Sequence, residues 1–330
     1  MCGKHERDGS FCVRERTQKA SELPRLAIRF AEPSLLCYDE LDSTNDEAKR
    51  LLHAARQGDD SIKGTVPVIG PIKGTVPVIG PIKGTVPVIE EGVTGLYGVV
   101  VTASRQSAGR GRNGKPFASP GGDSIYATFI LRPPEDPAEQ RITAFAAVAV
   151  CHAIEKTTSY KPGIKWINDI YLDGKKICGI LAESVPGAVI LGVGININLD
   201  KKDLPDELKK SAGSLKLSAE ERALLFECLR EEVFRCMDID RPDTEEASAL
   251  MDEYRARSVV IGKPVLLLLE TDISLNPCYC IPAMNTQSHD GYFRVPAYCE
   301  GIADDGALIV RHTDGSVEEL RSSGVTVQPV

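Results

Sequence analysis

One tryptophan and five histidines are all that 330 residues contain of either type. No apolar run approaches the roughly 18 residues of a membrane-spanning helix, so a span is not expected. The opening stretch, MCGKHERDGSFCVRERTQKASELPRL, has no apolar core of a secretory signal, and Glu6, Asp8, Glu15 and Glu22 argue against a mitochondrial presequence. No Lys/Arg run forms a basic patch. With 47 Asp+Glu against 39 Lys+Arg the net charge is −8, which argues against general nucleic-acid binding. There is no HExxH motif. Cys278 and Cys280 make a lone C-x-C without a second pair or a His at ligand spacing, so no metal-ligating residue is assigned. The ten cysteines do not form the framework of a small secreted domain, and reduced thiols in a soluble cytoplasmic protein are the expectation.

What is present reads as one large unit followed by a small one. Residues 1–35 are mixed and polar. In LDSTNDEAKRLLHAARQG, Ser43 with Asp46 and Thr44 with Glu47 have capping-box spacing, Ala48, Leu51, Leu52 and Ala55 make a helical stripe, and Gly58 is placed to end it. IKGTVPVIGP then stands at 62–71 and 72–81, with IKGTVPVI at 82–89. A period of ten is too short for the common helical solenoids, so 59–91 reads as a surface insertion. GVVVTASRQ and SIYATFILRP (124–133) predict strands, the latter with Ile125, Ala127, Phe129 and Leu131 on one face. Residues 142–156 predict a helix apolar nearly all round, packed on a sheet. GIKWINDIYLDGKKICGILAES reads strand, Asp173-Gly174 turn, strand, and GAVILGVGININL adds another. Two helices follow in 218–257, the first opening on Ser218 and Glu221. After Arg257 short strands and Asp-Gly turns suggest a small barrel.

Three segments carry chemistry. In SRQSAGRGRNGKPFASPGG (104–122), Arg105, Arg110, Arg112 and Lys115 repel one another among glycines that raise the entropic cost of ordering. An anion that the loop wraps would offset both effects. The loop matches neither a Walker A sequence nor the G-x-G-x-x-G dinucleotide fingerprint. In IKWINDIYLDGKKICGIL, Lys165 lies in an apolar strand, where an ammonium needs an anionic partner or loses its charge. Period two puts Lys165 and Ile167 on one face and Trp166 and Asn168 on the other. In GAVILGVGININL the odd positions from Val189 to Leu199 are apolar. The even ones include Gly192, Gly194, Asn196 and Asn198, a flat floor on which a ring could lie.

Together with STN at 43–45, these segments resemble the biotin–protein ligases, also called holocarboxylase synthetases. GRGRNG is similar to that family's G-R-G-R-x-G loop, KWIND to its K-W-P-N-D, and GVGININ to its G-x-G-I-N strand, with Lys176 and GIL at 179–181 at the expected offsets. The resemblance covers about residues 38–200. It implies an α+β fold in which a class II aminoacyl-tRNA synthetase-like mixed, largely antiparallel sheet with helices (36–257) is followed by an SH3-like β-barrel (258–330).

It also implies a reaction: biotin and ATP, with Mg²⁺, give biotinyl-5′-AMP and diphosphate, and the adenylate acylates a lysine of a biotin carboxyl carrier domain. Lys165 and Arg110 would be catalytic. Ser43, Thr44, Asn45, Gln106, Gly109, Arg110, Arg112, Lys165, Gly179, Gly192 and Gly194 would bind biotin. Arg110, Arg112, Gly114, Lys115, Phe117, Trp166, Asn168, Lys176 and Asn196 would bind the nucleotide. The Gly/Arg loop would be loose and fold over the adenylate. Ile167 replaces the family's Pro, Phe117 a common Trp, and Lys115-Pro116 stands where Arg is usual, so altered affinity is expected. A lipoate–protein ligase shares the fold but uses another Arg/Gly-Gly-Gly motif. A biotin-responsive repressor would need a helix-turn-helix ahead of residue 36, and DNA is not an expected partner. A non-catalytic adenylate-binding regulator is the third alternative; intact Lys165, Arg110 and Arg112 argue against it.

Overall fold

The computed structural model describes residues 35–57, 92–119, 124–134, 139–200, 202, 204–238, 244–270, 292–321 and 325–330. The polar extension, the decapeptide repeat, Gly58, Cys278 and Cys280 lie outside the described residues. Six cysteines lie within them, and all six are free thiols.

Seven strands form the larger sheet: β1 (Leu35–Leu41), β2 (Val100–Gln106), β3 (Ile125–Leu131), β4 (Gly163–Lys165), β5 (Asp169–Leu172), β6 (Lys175–Val185) and β7 (Ala188–Ile195). Their order is β1-β2-β3-β7-β6-β5-β4. Among the described strands β1 and β2 run parallel and the other pairs antiparallel, so the sheet is mixed and largely antiparallel. Helix α2 (Glu139–Thr157) covers one face, with α3 (Ala219–Met237) and α4 (Glu245–Ala256) packed around it in a common core. Small residues at 144, 146, 147, 149 and 153, all fully buried alanines, let α2 lie close to the strands. The N-terminus of α3 follows the sequence closely. Ser218 accepts from the Glu221 N–H and the Glu221 carboxylate accepts from the Ser218 N–H.

Among the described residues the opposite face is only half covered, and the site lies on the other half. Helix α1 (Thr44–Gln57) buries Ala48, Leu51 and Leu52 against Leu36, Val101, Ile130 and Ile190. Each buried leucine contributes roughly 1.5–3 kcal/mol. On β3 the residues at 125, 127, 129 and 131 enter the α2 core, as the alternation predicts. The other face is buried too: Ile130 under α1, then Thr128 and Tyr126 beyond the helix end. There the sheet carries Gly192 and Gly194 from β7 and Gly179 from β6.

One expectation fails at β4. The strand stops at Lys165, residues 166–168 turn, and β5 returns so that Lys165 faces Asp169 across the ladder. Period-two alternation therefore does not govern Lys165, Trp166, Ile167 and Asn168. The Trp166–Ile167 peptide is cis. The Asp173-Gly174 turn forms as read, with both residues at positive φ, 50° and 72°.

A second, wholly antiparallel sheet contains β8 (Pro264–Glu270), β9 (Tyr292–Ile302), β10 (Leu308–His312), β11 (Val317–Leu320) and β12 (Val325–Pro329), in the order β11-β10-β9-β8-β12. It joins the larger sheet through the Trp166 Nε1–H, which donates to the Gly306 carbonyl at 2.9 Å, and the Arg255 Nε–H, which donates to that of Ile302 at 2.7 Å. No described helix is long and apolar enough to cross a membrane.

Candidate active site

A cleft of about 260 Å³ opens on the uncovered half of the sheet. One end is built by the start of α1. Ser43, Thr44 and Asn45 are all buried there, and their polar atoms are satisfied locally. The Thr44 N–H and hydroxyl donate to Gln106 Oε1 at 2.8 and 3.1 Å, and Gln106 Nε2 donates to Ser119 Oγ at 2.9 Å. Thr128 Oγ1 bonds Thr44 Oγ1 at 2.8 Å and Asn45 Oδ1 at 2.7 Å. Asn45 Nδ2 then donates to Glu183, whose other oxygen takes Lys49 Nζ at 2.7 Å. Burial works against the Glu183 charge, but these two donors outweigh it and hold the carboxyl below its ordinary range. Ser43 serves mainly as a cap, with a long 3.4 Å bond from the Asp46 N–H.

The Gly/Arg segment forms the rim. It is a closed hairpin. The Gly111 N–H reaches the Lys115 carbonyl at 2.7 Å, the Phe117 N–H reaches that of Gly109 at 2.8 Å, and Arg110 bridges Pro116. Its tip, Arg112–Gly114, turns tightly because Asn113 and Gly114 take φ of 55° and 70°, a left-handed pair that suits Asn and Gly. A Cβ on Gly109 would fall 2.6 Å from Ser119 Oγ, so only glycine lets the rim lie flat on the cleft wall. The two arginines part company. Arg110 Nη1 donates to Asp46 Oδ1 at 2.8 Å and is half exposed, whereas Arg112 Nη1 donates inward to Asn168 Oδ1 at 3.3 Å.

Lys165 lies at the deep end, 8% exposed, with its ammonium 5.5 Å from the Tyr171 ring centroid. Burial pushes it below the usual lysine range. Lys176 and Arg112 push the same way, and Asp169 opposes them. Lys176 Nζ pairs with Asp169 Oδ1 at 2.6 Å. Among the described residues, five cationic side chains and a single carboxylate therefore line the cleft of an acidic protein. Such a site selects a ligand with several negative charges. Asp169 and the Asn168 amide oxygen offer hard oxygen donors, which suit a Mg²⁺ ion that also takes phosphate oxygens and water.

Most residues anticipated from sequence meet in this cleft. Ser43, Thr44, Asn45, Gln106, Arg110, Arg112, Lys115, Phe117, Lys165, Trp166, Asn168, Lys176, Gly179, Gly192 and Gly194 are all on its walls. Gly109, Gly114 and Asn196 are not; Asn196 Nδ2 donates to the Gly213 carbonyl at 3.0 Å. The glycine floor carries the protein's own groups. The Phe117 ring lies over Gly179 and Gly194, edge-on to Tyr126 at 81° and 6.5 Å, and the Asn45 amide lies over Gly192.

Sequence reasoning missed Asp169, although it ends the quoted KWIND. It also missed Tyr126 and Thr128, whose signal is a pair of polar groups at alternate positions of an apolar strand. Thr326, from β12, lines the cleft with no sequence signal at all.

Comparison with known proteins agrees with this architecture. Residues 96–200 match the profile of the Biotin/lipoate A/B protein ligase family. The bifunctional ligase/repressor BirA of Bacillus subtilis (strain 168) is 34% identical over 240 residues, 69% of this chain and 66% of that protein. The chain thus spans just under two thirds of that relative. The biotin–[acetyl-CoA-carboxylase] ligase of Paracoccus denitrificans is 30% identical over 230 residues, 65% of this chain and 85% of that protein. In fold, the chain resembles the biotin protein ligase of Aquifex aeolicus solved with biotin and ATP. The TM-score is 0.60 at 18% identity, with 90% of this chain and 99% of that one covered. The motifs, the cleft that gathers them and these relatives converge, and the chain belongs to the biotin–protein ligase family.

Proposed function

We propose that this chain condenses biotin with ATP and passes the biotinyl group to a lysine of a biotin carboxyl carrier domain. The observation that carries this reading is the pairing of a polar pocket end, where Thr44, Asn45, Gln106 and Thr128 are joined by hydrogen bonds, with a deep end of concentrated positive charge around Lys165. A biotin carboxylate oxygen attacks the α-phosphorus of ATP. The bond from that phosphorus to the β-phosphate's bridging oxygen breaks, and diphosphate leaves. The neutral ε-amine of the carrier lysine then attacks the acyl carbon, AMP departs, and the amine's proton goes to solvent. Negative charge crowds where carboxylate meets phosphate, and fixed cations there stabilise the transition state.

Lys165 and Arg112 are the cations we assign to that charge. Arg112 reaches the Asn168 turn beside Lys165. Arg110 is assigned to the mouth, where its pair with Asp46 ties the rim to α1. Thr44, Asn45 and Gln106 are assigned to the ring end of biotin, and Lys176, Lys115 and Phe117 to the nucleotide. Mg²⁺, which neutralises phosphate charge when bound, would be held by Asp169 with Asn168. We read the larger sheet with its helices (36–257) as a class II synthetase-like catalytic unit and the second sheet (258–330) as an SH3-like module, in a cytoplasmic enzyme.

Biotin-dependent exchange of labelled diphosphate into ATP tests the reading, with lipoate as the control acid. The expected result is exchange with biotin only, reduced about 10²–10³-fold in Lys165→Ala. No exchange with either acid from folded protein would overturn it.

A further inference from the structure

Lys165 ends a three-residue strand at the sheet edge, too short to fix a side chain through its own ladder. Its neighbours are held from elsewhere. The Ile164 N–H donates to the Arg257 carbonyl at 2.8 Å, and the Ile164 carbonyl accepts from the Val259 N–H at 2.9 Å. The Trp166 indole donates to the Gly306 carbonyl at 2.9 Å, and the Ile167 carbonyl accepts from the Tyr254 hydroxyl at 2.9 Å. All four partners lie beyond residue 253, on the last turn of α4, the segment after it, and the turn between β9 and β10.

Tyr254 stands out among them. It is 0% exposed and packed in the common core of the helices, where a phenylalanine ring would supply the same apolar contact. What the hydroxyl adds is one directed bond to the turn that carries Lys165. That turn also carries Asn168, which accepts from Arg112 and donates to the Ile180 carbonyl at 2.7 Å, and leads to Asp169, the partner of Lys176. A displacement of the turn therefore moves the cations and their anchors together.

We infer that Tyr254 is a positioning residue: its hydroxyl, through the Ile167 carbonyl, sets where Lys165 and Asn168 stand in the cleft. The inference rests on the adenylation reading above. It makes the last turn of α4, which touches no ligand, part of the device that aligns carboxylate and phosphate. Misplacement of reacting groups by about 1 Å can lower a rate by about 10²-fold, and loss of one tether should act in that direction.

Tyr254→Phe is the test, read by diphosphate exchange, by calorimetric biotin affinity and by acrylamide quenching of Trp166, the chain's single tryptophan and itself in the turn. The expected outcome is a kcat about tenfold lower with biotin affinity within about twofold of wild type, and altered quenching of Trp166. Leu250→Ala, also buried on α4 but with no polar group to bond the turn, controls for lost stability; assayed below its melting temperature it should keep wild-type kcat. Wild-type kcat in Tyr254→Phe, or an equal loss in Leu250→Ala, would overturn the inference. If wild-type protein shows no exchange, the adenylation reading falls by itself. Unchanged Trp166 quenching in Tyr254→Phe would then independently sink the tether.

Discussion

The surroundings of Lys165 work against its charge. Burial, Lys176 and Arg112 all favour the neutral amine, and only Asp169 favours the ammonium. The sign follows directly. Between the lowered native pKa and the ordinary value of about 10.4, the unfolded chain binds the extra proton, so this residue's contribution to stability rises with pH there. The proposed catalysis needs the cation, so activity should move the opposite way. Exchange rate should fall on the alkaline side at a pH below that of an unperturbed lysine. Lys165→Arg, which stays charged, should shift that limb upward even if its plateau is lower. A pH–rate profile of both proteins measures this.

The glycine floor makes a second prediction at the same scale. A Cβ at Gly194 would lie 2.6 Å from the Phe117 ring, and β7 is held on both sides by β3 and β6, so the strand cannot yield. Gly194→Ala should destabilise by about 1–3 kcal/mol in urea melts, as overpacking does. Adding Phe117→Ala should recover part of that loss, with a coupling of at least about 0.5 kcal/mol in a double-mutant cycle. Additive losses would mean that the ring does not rest on the floor.

Among elements, the start of α1 bears most on the site. Asn45 joins β3 to β6 through Thr128 and Glu183, so Asn45→Ala leaves the buried Thr128 and the half-buried Glu183 each short of a partner. A loss of about 1–3 kcal/mol is expected, larger than for Ser43→Ala, whose long cap bond belongs at the low end of about 0.5–2 kcal/mol. Chemical denaturation of the two variants ranks them.

This helix was readable in the sequence because its signals are local: a cap, a 3.6-residue stripe and acidic residues in the first turn. The capping box at Ser218 and the Asp173-Gly174 turn were readable for the same reason. The break after Lys165 was not, since residues 164–167 are held by partners some 90 to 140 positions away. Nor could the sequence assign Arg110 to the rim and Arg112 to the interior. Two residues apart, they are separated by a hairpin whose closure depends on Gly109 lying against Ser119.

At the scale of the whole molecule, α2, α3 and α4 are tied by a charged network behind the sheet. Arg257 forks onto Glu155 at 2.8 and 3.0 Å and also pairs with Glu253, and Glu232 of α3 takes Lys156 of α2 as well as Arg235 at 2.7 Å. Arg257 holds the Glu155 carboxyl low. Glu232 and Glu253 are also low, because their hydrogen bonds outweigh burial. Carboxyls depressed in the native state stabilise it above their unfolded value of about 4.5, and that stability is lost as pH falls through the native values. Urea midpoints should therefore hold down to about pH 5 and drop as the pH falls below about 4.5, and Glu155→Gln should flatten the drop while lowering stability at neutral pH. An unchanged slope would show the network to be screened by solvent.

The walls of the cleft run in sequence from Ser43 to Thr326. A growing chain on the ribosome therefore has no complete pocket until β12 has been made, whatever its earlier strands have done. At about 5–20 residues per second, the sheet and its helices have many seconds of existence before the last wall arrives. A chain that stalls or is clipped before that strand offers ligand an incomplete pocket, so guarding against early misfolding falls chiefly to the core.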